Sequence, residues 1–291
     1  MSDSLLPEVR AVVQEAEAIL GPRVFQADEI FFSTRARTTR ARIKAARALI
    51  PTLKQALEPE ERVRFISAGG YTYEIWEHVF GAGAWAIYVN GTSLVLTDRR
   101  LLLFNVTHRS RSPKDIKNAV SLSDIKSVRG FAANLTFRLR DNEKIRIAAL
   151  TFTDARELRS RVRREIETPM RSPTAMVSGM RLLQHLCPAC CQPVANAGFL
   201  RCASCRTEFR SGRTAALRSL LLPGLGDIYL KHTVLGALEI IGSAMLWLMF
   251  LNVLFFGDSG AMIPMFLLLA TANGTDYFVT KAMARKGIVA K

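Results

Sequence analysis

Apolar residues recur at spacings of three and four between Ser4 and Leu20, at Leu5, Val9, Val12, Val13, Ala16, Ile19 and Leu20, and Gly21-Pro22 follows as a stop signal. This pattern predicts an amphipathic helix. A second helix is predicted from Asp28 to Ile50, where Pro51 interrupts it; after Glu29 it carries Arg35, Arg37, Arg40, Arg42, Lys44 and Arg47 and no acidic residue, so it calls for an outside partner or plain water. Beyond an acidic linker, Glu58-Pro59-Glu60-Glu61, the pattern becomes strand-like. Val63–Ser67, Tyr71–Val79, Trp85–Val89, Ser93–Thr97, Leu101–Val106, Ile125–Val128, Leu135–Leu139 and Lys144–Ala148 are rich in aromatic and β-branched residues and are separated by turn signals. Thr153 then caps a helix in which Leu158, Val162 and Ile166 recur every four residues. Strands closed by one such helix predict a small barrel or sandwich plugged at one end.

The segment Leu94 to Phe104, LVLTDRRLLLF, resembles the central hairpin of bacterial pleckstrin-homology-like domains, and the resemblance covers roughly residues 60–168. It implies a β-barrel with a C-terminal helix, and binding of lipid or protein rather than catalysis. Arg109, Arg111, Lys114 and Lys117 follow as a basic loop, a candidate surface for lipid or phosphate, although a loop this polar is more often simply exposed.

All five cysteines lie between Cys187 and Cys205. Cys187-Pro188-Ala189-Cys190 and Cys202-Ala203-Ser204-Cys205 are two tight turns whose thiolates can converge on one ion, which is metal-ligand spacing and calls for reduced thiols and a cytosolic face. With Phe209 closing the second turn, the segment resembles a zinc ribbon, and four thiolates leave no open coordination position, so the Zn2+ is expected to be structural. Cys191 and His185 lie beside the ligands and are not expected to bind.

The C-terminal end is apolar. Thr233 to Phe256 carries one ionisable residue, Glu239, and at about 1.5 Å per residue reaches about 36 Å, enough to cross a bilayer. Gly260 to Thr280 carries only Asp276. The turn between them has no positive charge, whereas Arg210, Arg213, Arg218 and Lys231 precede the first run and Lys281, Arg285, Lys286 and Lys291 end the second. A hairpin with both termini cytoplasmic, in the plasma (inner) membrane, follows from the positive-inside rule. The order LLPGLGDIYLKHTVLGALEI, with Asp276-Tyr277-Phe278 near the end of the second run, looks like a TM2-type membrane domain over about residues 214–281, with Lys231 where that family often has glycine. Residues 217–230 are too broken to cross and are read as interfacial or dipping into the interface. Glu239 and Asp276 fall at a shared depth, and intramembrane carboxylates call for a functional hypothesis. They are expected to face the helix interface and pair with Lys231, His232 or Arg218, or share a proton; carboxylates reaching headgroup water are the other reading.

The net charge is +15, with the excess concentrated between residues 61 and 232. That suits anionic lipid or nucleic acid, and Arg201, Arg206, Arg210 and Arg213 would suit phosphate; a cytosolic flank explains them as well. Met1 to Pro7 has no apolar signal core. Catalytic motifs of the metalloprotease, α/β-hydrolase, P-loop and dinucleotide-binding types are absent, and His78, His108, His185 and His232 are scattered. The whole reads as an α+β multidomain membrane protein: N-terminal helices (1–58), pleckstrin-homology-like β-barrel (59–169), linker (170–184), four-cysteine zinc ribbon (185–213), interfacial segment (214–232), two-helix transmembrane hairpin (233–281) and basic tail (282–291). Its expected role is a non-catalytic adaptor or sensor bound to membrane lipids, with a protein partner or its own copies. A membrane-tethered nucleic-acid-binding regulator and an oligomeric channel or transporter subunit are the alternatives.

Overall fold

The computed structural model describes residues 6–67, 69–72, 91–107, 111–167, 182–194, 200–257 and 259–291. The chain forms two compact units, Met1–Asn196 and Ala197–Lys291. The first opens with helices α1 (Leu6–Leu20), α2 (Ala27–Ile30) and α3 (Ala36–Ala56). Strands β1 (Val63–Ile66), β2 (Gly70–Thr72), β3 (Gly91–Thr97), β4 (Arg100–Val106), β5 (Pro113–Ser121), β6 (Ile125–Phe131), β7 (Asn134–Leu139) and β8 (Lys144–Ala148) follow, then helix α4 (Phe152–Glu167) and strands β9 (Gln184–Leu186) and β10 (Pro193–Val194). The strands pair in the order β10-β9-β5-β4-β3-β2-β8-β7-β6, with β1 pairing β3 beside that path, and every pair is antiparallel. Among the described residues no pairing joins β10 to β6, so the chain forms an antiparallel sheet and closure into a barrel is not shown. The expected strand at Trp85–Val89, most of that at Tyr71–Val79, and Arg109 lie outside the described residues.

The LVLTDRRLLLF hairpin is apolar on both faces because both faces are covered. Side chains alternate along a strand. Leu94, Leu96, Leu101 and Leu103 enter a core with Phe65, Phe137, Leu158 and Val162, whereas Val95, Leu102, Phe104 and Val106 enter a second core with Val12, Ile43, Leu49 and Leu53. Helix α4 closes one core and the N-terminal helices close the other. The N-terminal helices, read from sequence as a region of their own, thus share a core with the sheet. That shared core also carries α3 through Pro51 to Ala56, past the predicted stop, since Leu53 and Ala56 bury apolar surface that outweighs one lost helical hydrogen bond.

The basic helix finds its partner inside the unit. Arg42 is fully buried and donates to Asp154 Oδ1 (2.8 Å), Glu157 Oε2 (2.6 Å) and the Ile30 carbonyl (3.0 Å), with its guanidinium 4.7 Å from the Phe65 ring centre. The acidic segment at Glu58–Glu61 is not a free linker either. Buried Glu61 pairs with Arg100 (2.8 Å) and accepts from the Thr97 hydroxyl (2.7 Å), and that hydroxyl accepts from the Arg99 and Arg100 amides, which fixes the T-D-R-R turn.

The second unit contains α5 (Gly212–Leu221), α6 (Leu225–Tyr229), α7 (Thr233–Phe256) and α8 (Ser259–Ala284). Among the described residues α7 is the one helix long and apolar enough to cross a membrane. Helix α8 has the length, but it carries Pro264, Asp276 and Lys281 and the small, polar run Thr271 to Thr275. The expected basic tail is not loose: Val289 accepts from the Arg210 amide, Ala290 bridges Phe209, and Ile288 and Val289 are buried.

Candidate functional site

The two cysteine turns are built alike. Cys187 N–H donates to the Gln192 carbonyl and Cys191 N–H to the Cys187 carbonyl; Cys202 N–H donates to Thr207 and Arg206 N–H to Cys202, at distances of 2.9–3.0 Å throughout. Each turn ends on a residue in the left-handed region, Cys191 (φ 57°) and Arg206 (φ 61°), which lets the backbone curl round the point where the thiolates converge. The four Sγ atoms of Cys187, Cys190, Cys202 and Cys205 lie within 4.8 Å of one another and can hold a metal ion. A tetrahedral zinc site with Zn–S bonds of about 2.3 Å places its sulfurs about 3.8 Å apart, so the donor set and its spread both fit. The fifth thiol takes another direction: Cys191 is buried, with Lys117 Nζ 3.4 Å from its sulfur, and burial pushes its thiol up from the ordinary range. His185 is held by Asn118 through Nδ1 (2.7 Å).

The basic residues singled out from sequence are mostly engaged within the protein. Lys117 is 5 % exposed and donates to the Pro188 carbonyl (2.5 Å), so it does not face lipid or phosphate. Of the expected basic loop, Lys114 and Lys117 lie in strand β5 and Arg111 just before it. Strand β5 pairs with β4 on one edge and with short β9 on the other, and its Ala119 and Val120 enter the two cores. Arg111 and Lys114 are half-buried, and burial lowers the affinity of both for their protons. Arg210 donates to the Ala290 and Tyr229 carbonyls and stacks on the Tyr229 ring; Arg201 pairs with Glu208 (2.6 Å). Arg213 remains exposed.

In the second unit Glu239 of α7 and Asp276 of α8 do come together, and a third carboxylate joins them. Oxygens of Asp227, Glu239 and Asp276 all lie within 4.8 Å of one another. Glycines make this possible. Gly224 has φ +90°, and a Cβ there would sit 2.2 Å from the Gly236 carbonyl of α7; a Cβ on Gly226 would meet Ser219 of α5 and Thr280 of α8. The Pro-Gly-Leu-Gly turn thus packs tightly against its neighbours, and its Gly224 N–H donates to Asp276 Oδ2 (3.0 Å). Burial pushes the Asp227 carboxyl above its usual range, to about 6, with the Asp276 charge adding to the rise. Two carboxylate charges about 4 Å apart repel by roughly 4 kcal/mol at an effective dielectric of about 20, so three ionised groups here require a counter-charge. The expected Arg218 partner is elsewhere, stacked 4.3 Å over the Tyr229 ring. Asp227 escapes a sequence reading because it resembles an ordinary interfacial carboxylate; its one signal is its place directly after the glycine turn.

The burial pattern of α7 and α8 is inverted. In α7 the buried residues are Gly236 and Ser243, and in α8 Asp276 and Thr280 are buried beside Leu269 and Met283, while Ile241, Met245, Leu248, Phe255, Ile263, Phe266, Leu267 and Phe278 are exposed. Helix α5 behaves likewise, with Ala215, Ala216 and Ser219 inside and Leu217, Leu220 and Leu221 outside. No protein-family model matches the chain, and no curated protein matches it.

Proposed function

We propose that the chain is an integral membrane protein in which α7 and α8 cross the bilayer as a hairpin, the four thiolates hold a structural Zn2+, and the sheet unit is displayed on the cytosolic side as a non-catalytic adaptor or sensor for a protein partner or anionic lipid. The observation that carries this reading is the inverted burial of α7 and α8. Water gives such an arrangement no stability, since it exposes large apolar side chains and buries carboxylates; hydrocarbon favours it on both counts. Small residues between α5, α6 and α8 suit helices that pack without a hydrophobic driving force. The basic flanks favour cytosolic termini. Resemblance to a TM2-type domain gains support from Lys231, whose φ of 66° is a conformation in which glycine is the least strained residue. Strands β1–β8 followed by α4 are in keeping with a pleckstrin-homology-like domain.

An anchored sheet unit needs only weak contacts, because tethering raises its effective concentration at the membrane. The full chain, tagged at each end, is expected to resist alkaline extraction from membranes and to yield to detergent, with both tags protected from external protease in spheroplasts and cut in inverted vesicles. Release into the alkaline wash, or cleavage of either tag from outside, overturns the proposal. The purified chain is also expected to carry about one zinc by elemental analysis, and Cys202→Ser to lose it, since removing a ligand breaks a closed four-coordinate site.

A further inference from the structure

Asp227, Glu239 and Asp276 have a property that neither the anchor nor the zinc ribbon uses. Both oxygens of Asp227 and Oε2 of Glu239 are buried and accept no hydrogen bond from the protein. Asp227 is 0 % exposed, and one of its oxygens lies within 4.8 Å of an oxygen of each of the other two carboxylates. Buried acceptors are nearly always satisfied, so orphaned oxygens on two members of one carboxylate cluster mark a missing partner. A proton shared between Asp227 and Glu239 serves two of them and leaves the second Asp227 oxygen unpaired. A cation with six or more coordination positions serves all three and supplies the counter-charge as well.

We propose that Asp227, Glu239 and Asp276 form a binding site for one hard divalent cation, Ca2+ or Mg2+. The donor set is oxygen only, which selects a hard ion over zinc or copper. Gly224 N–H holds Asp276 through Oδ2, so one ligand is oriented before the ion arrives. The three ligands come from α6, α7 and α8, and the bound ion ties the glycine turn to both long helices. The ion thus acts as a clasp for a region in which small residues such as Gly224, Gly226 and Gly236 pack closely. This inference goes beyond the anchor reading and does not rest on it, because the three residues meet within one unit whatever its surroundings.

The test is calorimetric titration of the full chain in detergent, cleared of divalent ions, with CaCl2 and separately with MgCl2. Saturable binding of at least one ion at about one per chain is expected, and the stronger of the two identifies the ion. Asp227→Asn and Glu239→Gln are each expected to weaken binding about tenfold or more, since affinity follows the number of charged ligands. Glu208→Gln, whose carboxylate pairs with Arg201 and Lys291 outside the cluster, leaves binding unchanged. Retained zinc content and helical circular dichroism verify that each variant folds. Absence of saturable binding by the unaltered chain overturns the proposal, as does full affinity in both carboxylate variants. Neither outcome bears on the protease-protection result, so the two readings fail separately.

Discussion

The sheet unit and the α7–α8 pair treat charge and apolar surface in opposite ways. In the sheet unit, large apolar side chains fill two cores and the charges that go inside are matched: Arg42 meets Asp154 and Glu157, and Arg100 meets Glu61. In α7 and α8 most large apolar side chains point out, Leu269 and Met283 excepted, and carboxylates converge inside. The proposed membrane anchor accounts for one chain obeying two rules, because it gives the two regions different solvents. Burial drives folding only relative to what surrounds the molecule, so the same Leu is a core residue in water and a surface residue in lipid.

The strongest test of this contrast is in the sheet unit. Arg42→Met leaves Asp154 buried without its counter-charge and is expected to cost about 3–5 kcal/mol in denaturant unfolding. Adding Asp154→Leu should return much of that loss, because a buried pair exchanged whole for apolar groups is close to neutral. A double variant as unstable as the single one would mean that the network does more than neutralise charge. Next in size is Leu248→Arg on the outer face of α7. If that face meets hydrocarbon, the substitution costs about 2.5–3.5 kcal/mol of insertion and reduces the membrane-integrated fraction in a translocation assay. Undiminished integration would remove the distinction between the two units. The smallest effect is expected at Phe131, which is 87 % exposed in β6. Phe131→Ser should change stability by no more than about 0.5 kcal/mol, as for a lone apolar side chain in water. A larger loss would reveal a covered surface.

Legibility from sequence follows the range of the interaction concerned. The two cysteine turns are complete within a few residues each, and their hydrogen bonds are local, so spacing was enough to find them. The β3–β4 hairpin was legible for the same reason, down to the Thr97 turn. Strand β5 was not, because its stretch from Lys114 to Asn118 is mostly polar and pairs with β4 and β9, while its buried apolar residues, Ala119 and Val120, are too few to set a period. Glu239 and Asp276 were legible as a pair through their common depth, while Asp227 was hidden by the irregular turn that delivers it. Lys117 misled: a lysine in a polar stretch looks exposed until a carbonyl and a sulfur are found at its tip.

Composition and spacing alone determined that this chain has a four-thiolate metal motif and an apolar helix long enough to cross a membrane, since both are properties of contiguous residues. Which charges are spent inside the protein was decided by tertiary structure. Arg42 lies 112 residues from Asp154, and Asp227 reaches Asp276 only through the close approach that two glycines allow. A partner chosen by packing across such separations leaves no periodic trace in the sequence, because it depends on where distant backbones meet.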